Sequence, residues 1–257
     1  MGKKSIKYYE EVSNFRELVK RYEEFEKDNV AFKYKKDKQI HEITYKQFVE
    51  DIKKVAEKVL DSDVKRVAVI GNNRYEWVIT YLGVTTAGRI IVPLDKALTD
   101  KEIEKLLARS GADAIVYDEK YENAVNEAIA QGCNIKYMLK DGEDIIKSGK
   151  AKYDDVKIKE NEMYVMLFTS GTTNEPKAVM LSQENICKNV SNYQYNFMMY
   201  PSDTLLSFLP IHHTFECSIT ILYGTYCGAT IAFCEGLRYI ADNLKEFKIS
   251  VFVAVPL

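Results

Sequence analysis

Four hydroxyl side chains, a glycine and a lysine fall within nine residues: Thr169, Ser170, Gly171, Thr172, Thr173 and Lys177. They follow directly on an apolar, strand-like run that ends in Leu167-Phe168. A chain can cradle phosphate oxygens in this way. Backbone N–H groups in a tight turn form an anion-binding nest, hydroxyls add rotatable donors, and lysine supplies a compact positive charge. A solvated Ser/Thr/Gly loop between strands has the same composition, so order has to decide between the two readings. The order excludes a Walker loop, which needs a second glycine before its lysine and Ser or Thr after it. Here those places hold Pro176 and Ala178, and Ala178-Val179-Met180-Leu181 reads as a short strand rather than the start of a helix.

The whole run, Leu167-Phe168-Thr169-Ser170-Gly171-Thr172-Thr173-Asn174-Glu175-Pro176-Lys177-Ala178, resembles the signature loop of the acyl-adenylate-forming ligases, Thr-Ser-Gly-Thr-Thr-Gly-x-Pro-Lys-Gly. Asn174 and Ala178 stand where that pattern has glycine. Asn tolerates positive φ better than most residues, and neither change removes a donor. A second segment, Leu209-Pro210-Ile211-His212-His213-Thr214-Phe215-Glu216, is similar to the Leu-Pro-x-x-His-x-Phe-Glu segment of fatty acyl-CoA synthetases. Asn73-Arg74-Tyr75-Glu76-Trp77 and Ala87–Asp95 also look like early segments of those enzymes, so the resemblance runs from about residue 14 to Leu257.

The resemblance implies a layered α/β large domain and a two-step reaction: a fatty acid is activated by ATP as acyl-AMP, then transferred to coenzyme A. It implies that Thr169, Ser170, Gly171, Thr172, Thr173 and Lys177 contact the nucleotide's phosphates. The hydroxyls of Ser170, Thr172 and Thr173 are the leading contacts, and Lys177 either meets phosphate or braces the loop. It places His213 beside the acyl carboxylate, where an imidazole donates to developing charge or moves as a gate. An ordinary buried histidine with one satisfied hydrogen bond is the competing reading. Glu216 is expected to orient His213, while His212 reads as structural and Trp77 as core packing. Mg²⁺ is expected to be held by phosphates and water, because its carboxylate in the family belongs to a later Tyr-Gly-x-Thr-Glu stretch. That stretch, the ribose aspartate and the C-terminal lysine are not in this sequence. The chain therefore reads as an N-terminal fragment that alone does not complete the reaction. Two alternatives stay open: an amino-acid or aryl-acid adenylating domain, and a non-catalytic nucleotide-binding module. No aspartate lies between Glu216 and Asp242 to meet an amino-acid ammonium, which weighs against the first.

Composition fits a globular protein. Apolar residues make up 46% and charged residues 29%, enough to bury a core. The 36 basic and 38 acidic residues are mixed along the chain, with no basic stripe for nucleic acid. Lys33-Tyr34-Lys35-Lys36 and Lys53-Lys54 read as solvated faces. Five cysteines without CxxC spacing suit reduced thiols in a cytoplasmic protein, and metal binding through them is not expected. No signal peptide or apolar run of membrane-spanning length occurs. Composition is silent on oligomeric state.

The elements that must position these residues alternate between helix and strand. Phe15, Leu18, Val19, Tyr22 and Phe25 mark one face of an opening helix, and Thr44-x-x-Gln47 forms a capping box for a second. Strands are expected at 66–70, 90–94, 114–117, 135–139, 163–169, 178–181, 204–209, 229–234 and 251–255, the last buried on both faces. Helices are expected at 75–86, after Thr99, near 120–130, from Ser182 to about 197, near 215–226 and at 238–247. Such spacing calls for parallel strands joined by crossovers. The polar stretch near 140–162 reads as a boundary between a first lobe (about 1–150) and a second (about 160–257) that carries the phosphate loop.

Overall fold

The computed structural model of the chain describes residues 8–25, 28–135, 137–140, 153–169 and 176–255. Its helices form where apolar residues recur at helical spacing behind a capping side chain. Asn14 Oδ1 accepts from Glu17 N at 2.9 Å to start α1 (Phe15–Tyr22), which buries Phe15, Leu18, Val19 and Tyr22. Thr44 Oγ1 accepts from Gln47 N at 3.2 Å to start α2 (Tyr45–Asp61). The expected reciprocal half of that box is absent, because the Gln47 side chain donates to Asp51 Oδ1 instead. Next come α3 (Tyr75–Thr86), α4 (Asp100–Ser110), α5 (Glu122–Ala130) and α6 (Gln183–Asn192). Gly111 closes α4 in the left-handed region at φ 61°, where a side chain would be strained.

Two sheets carry these helices. The larger contains β3 (Arg66–Ile70), β4 (Ile90–Pro93), β5 (Ala114–Tyr117), β6 (Tyr137–Lys140), β7 (Met163–Thr169) and β8 (Lys177–Ser182), in the order β6-β5-β3-β4-β7-β8. Strands β3 to β7 are parallel, and β8 folds back antiparallel on β7. The all-apolar Val67–Ile70 is buried at the centre, as a strand covered on both faces requires.

The smaller sheet has the order β2-β1-β10-β9, built from β1 (Val30–Lys36), β2 (Gln39–Thr44), β9 (Thr204–Ser207) and β10 (Thr230–Phe233). Its β1–β2 hairpin puts the lysines at 33–36 on a strand, with Lys33 and Lys35 half-buried and Lys36 exposed on its solvated side. Acidic residues meet two of them: Lys33 pairs with Glu42 at 3.0 Å, and Lys35 with Glu246 at 2.9 Å. Asp37 and Lys38 make the turn, with φ of 50° and 63°. The other face of β1 is core, where Phe32 stacks on Phe233 at 5.6 Å and meets Phe48 of α2 at 4.8 Å.

Each sheet draws strands from both sides of residue 150. Strands β7 and β8 join β3–β6, while β1 and β2 join β9 and β10. The sheets therefore do not divide where the polar stretch suggested a lobe boundary. The expected strand at 251–255 is also reduced, to a single bridge between Val251 and Leu205. Among the described residues only β9 lies beside it, so Phe252 and Val255 remain 44% and 50% exposed. The helix expected near 215–226 is present, but Glu216–Tyr223 winds as a π-helix before α7 (Gly224–Tyr226). Helix α8 (Ile240–Glu246) is the last described helix.

Candidate active site

The β7–β8 hairpin carries the residues first singled out. Its last register pair is Thr169 with Lys177, so the hydroxyl-bearing end of one strand faces the lysine-bearing start of the other. Both residues are exposed at the mouth of the connection. Ser170, Gly171, Thr172 and Thr173, the core of the expected phosphate cradle, lie outside the described residues, as do Asn174 and Glu175. The two described members are donors of the type a polyphosphate needs: a hydroxyl and an ammonium.

The base of the hairpin is fixed by Ser182, where a helix was expected to start, and by Gln183, which no motif singled out. Ser182 caps α6 directly after β8; its Oγ accepts from Asn185 N at 3.1 Å, and Asn185 Oδ1 accepts from Ser182 N at 3.2 Å. The next residue, Gln183, is fully buried. Its Oε1 accepts from Phe15 N at 2.8 Å, and its Nε2 donates to Thr85 O at 2.9 Å. One amide thus joins the exit of β8 to the first turn of α1 and the last turn of α3. A buried glutamine satisfied on both sides holds the hairpin's base in register.

The histidine segment leaves β9 at Ser207. His213 N donates to Pro210 O at 3.0 Å, and Cys217 N donates to His213 O at 3.0 Å, so His213 opens the π-helical stretch. Phe215 N donates to His213 Nδ1 at 3.2 Å. A neutral imidazole that accepts at Nδ1 carries its proton on Nε2. The side chain is exposed, which sets aside the buried-histidine alternative.

His212 is more enclosed, and its Nε2 lies 3.6 Å from Asp95 Oδ2 at the end of β4. Burial pushes its pKa below the ordinary histidine value, and Asp95 opposes that shift. Glu216 does not orient His213 as expected. Its oxygens accept from Ser207 Oγ at 2.7 Å and Thr220 Oγ1 at 2.9 Å, inside the core. Burial raises its carboxyl to about 7, against the lowering effect of those hydrogen bonds. Glu216 is the lone charge in an otherwise uncharged run from Thr214 to Tyr226, and that is the signal of its burial.

Hairpin and histidine segment meet around one apolar pocket. Leu167 and Leu181 line it from the hairpin, His212 and Thr214 from the loop, and Trp77 and Tyr81 from α3. Trp77 is core, as expected, stacked on Tyr81 at 5.4 Å, and it also forms a wall of this pocket. The free volume is about 10 Å³, room for roughly one water, so a larger group needs the walls to part.

Comparisons with known proteins bear on the fold and the family. Long-chain-fatty-acid–CoA ligase 5 of Mus musculus is 29% identical over 222 residues, covering 74% of this chain and 32% of the relative. The chain thus spans about a third of that relative's length. The crystal structure of the N-terminal domain of FACL13 from Mycobacterium tuberculosis superposes with a TM-score of 0.85 at 18% identity, over 95% of this chain and 63% of the other. The structure of ATP-bound MatB from Rhodopseudomonas palustris gives 0.79 at 20% identity, over 93% and 49%. These likenesses establish the layered α/β fold. The sequence model of the AMP-binding enzymes matches residues 19–257, nearly the whole chain, and the chain belongs to that family.

Proposed function

We propose that this chain is the phosphate- and acyl-handling part of an ATP-dependent carboxylate–CoA ligase that acts on long-chain fatty acids. The observation that carries this reading is that the hairpin bearing Thr169 and Lys177 and the loop bearing His213 wall one apolar pocket, through Leu167 and Leu181 on one side and His212 and Thr214 on the other. The fatty-acid ligase among its relatives supports the choice of acid. In the first step a carboxylate oxygen attacks the α-phosphorus of ATP, the bond to the bridging oxygen breaks, and pyrophosphate leaves. The coenzyme A sulfur then attacks the acyl carbonyl and AMP departs. Neither step needs covalent help from this chain; positioning and charge neutralisation carry it. Lys177 and the hydroxyls of Thr169, Ser170, Thr172 and Thr173 stabilise charge on the departing phosphates. Mg²⁺ would accompany ATP, held by phosphate oxygens and water, and would neutralise charge on the phosphates. The Nε2–H of His213 donates to the acyl carboxylate as it reacts.

Carboxylate-dependent ATP–pyrophosphate exchange by the longer protein of which this chain is a part tests the reading across fatty, aryl and amino acids. Exchange driven by long fatty acids is expected. Lys177→Ala and His213→Ala should each reduce it about 100-fold, the scale of losing one transition-state donor. Exchange with aryl or amino acids alone would remove the fatty-acid assignment. A folded, ATP-binding protein silent with every acid would point to a non-catalytic module. The 257-residue chain alone is expected to show no exchange.

A further inference from the structure

Asn73 lies in the loop that leaves β3, outside both segments of the candidate site. Its side chain nevertheless holds the histidine loop at three points. Nδ2 donates to Ser207 Oγ at 2.9 Å and to Leu209 O at 2.7 Å, and Oδ1 accepts from Ile211 N at 3.3 Å. Ser207 Oγ passes the connection on to Glu216 Oε1 at 2.7 Å. The loop between β9 and the π-helix is thus fastened at its start, its middle and its end. Few side chains can do this. An amide offers two N–H donors and a carbonyl acceptor on one short arm. Aspartate keeps the acceptor, loses both donors and sets a carboxylate against Leu209 O. Serine is too short to span the three partners.

Ile211 is two residues before His213, and His213 N in turn donates to Pro210 O at 3.0 Å. The backbone that Asn73 grips therefore sets where the imidazole stands and keeps Phe215 N within reach of Nδ1. We propose that Asn73 is a positioning residue for His213, fixing the tautomer that carries its proton on Nε2. This rests on the role given to His213 above, but its first test does not need activity.

The chain has three histidines, His41, His212 and His213, so ¹⁵N-histidine spectra can be assigned with one His→Gln variant each. In the unaltered chain His213 should show an accepting Nδ1 and a protonated Nε2, and the Ile211 amide should exchange about 100-fold or more slowly than in an open loop. In Asn73→Asp and Asn73→Ala the His213 signals should move to an average of the two tautomers, while those of His41 stay unchanged. A general loss of packing would instead move His41 as well. An unchanged His213 tautomer in a folded variant overturns the proposal. So does open-loop exchange at Ile211 in the unaltered chain, a measurement that needs no variant. In the longer protein, Asn73→Asp should lower kcat for pyrophosphate exchange about 100-fold, with KM for ATP within about threefold. Exchange absent from the unaltered protein, with the tautomer shift present, would sink the ligase reading and leave the positioning role standing.

Discussion

The Glu216 carboxyl is 1% exposed, and the removal of water from around it outweighs the donors that Ser207 and Thr220 supply. The result is a carboxyl that holds its proton up to about pH 7 in the folded chain and loses it near 4.3 when unfolded. Between those values the folded state binds more protons than the unfolded one, so stability falls as pH rises across that window. The difference amounts to about 4 kcal/mol at most. Thermal unfolding of the chain should therefore move to lower temperature from about pH 4.5 to pH 7. Glu216→Gln, which keeps an acceptor for Ser207 and stays neutral, should flatten that slope. Parallel profiles for the two proteins would mean that the carboxyl is ionised in the core throughout. Side chains of this kind were the hardest to read from sequence. His213 and Lys177 sit in ordered motifs whose types announce chemistry. Asn73 and Gln183 act through single amides whose partners lie 134 and 168 residues away, and no local pattern encodes such a partner.

At the scale of elements, apolar periodicity was decisive where helices and buried strands bury whole faces, and it places α2, α3, β3 and β5 closely. It failed where something other than periodicity sets the structure. Strand β1 is lysine-rich, and what makes it a strand is its pairing with β2 and β10 and the burial of Phe32, while Glu246 of α8 meets Lys35 on its other side. The segment at 251–255 is apolar enough for a strand yet has one neighbour among the described residues, and pairing needs partners more than propensity. The α2–α3 contact behind the candidate site depends on a glycine whose role periodicity also hides. A Cβ on Gly83 would lie 2.4 Å from Val55 Cγ1 and 3.2 Å from Ile52 O. Alanine would gain about 1 kcal/mol of helix propensity. The cost of forcing apart a backbone oxygen and a stiff β-branched side chain is about 1–3 kcal/mol or more. Gly83→Ala should therefore lower the urea midpoint. A midpoint equal to or above that of the unaltered chain would show that α2 and α3 separate freely.

For the whole molecule the order of strands matters more than the polar stretch near 150. Strand β1 needs β10 beside it and β4 needs β7, so each sheet closes only when early and late segments meet. The core is shared in the same way: Phe15, Phe32 and Phe48 pack in one cluster with Val165, Tyr223 and Ile231. Cutting the chain at 152 would strip β10 and β7 from the first piece. The second would be left with the separate pairs β7–β8 and β9–β10, and isolated pairs of strands are marginal in water. Neither piece expressed alone should show a cooperative urea transition, whereas the two co-expressed should recover a single transition with an m-value near that of the intact chain. A cooperative transition from residues 1–152 alone would restore the two-lobe division that the polar stretch suggested. The consequence for the site is direct. Lys177 and His213 lie on the late side of the cut and Asn73 on the early side, so the hydrogen bonds that tie Asn73 to the loop of His213 cross it. Pieces that pair should therefore regain the His213 tautomer only as they regain the shared transition, because the same inter-sheet contacts produce both.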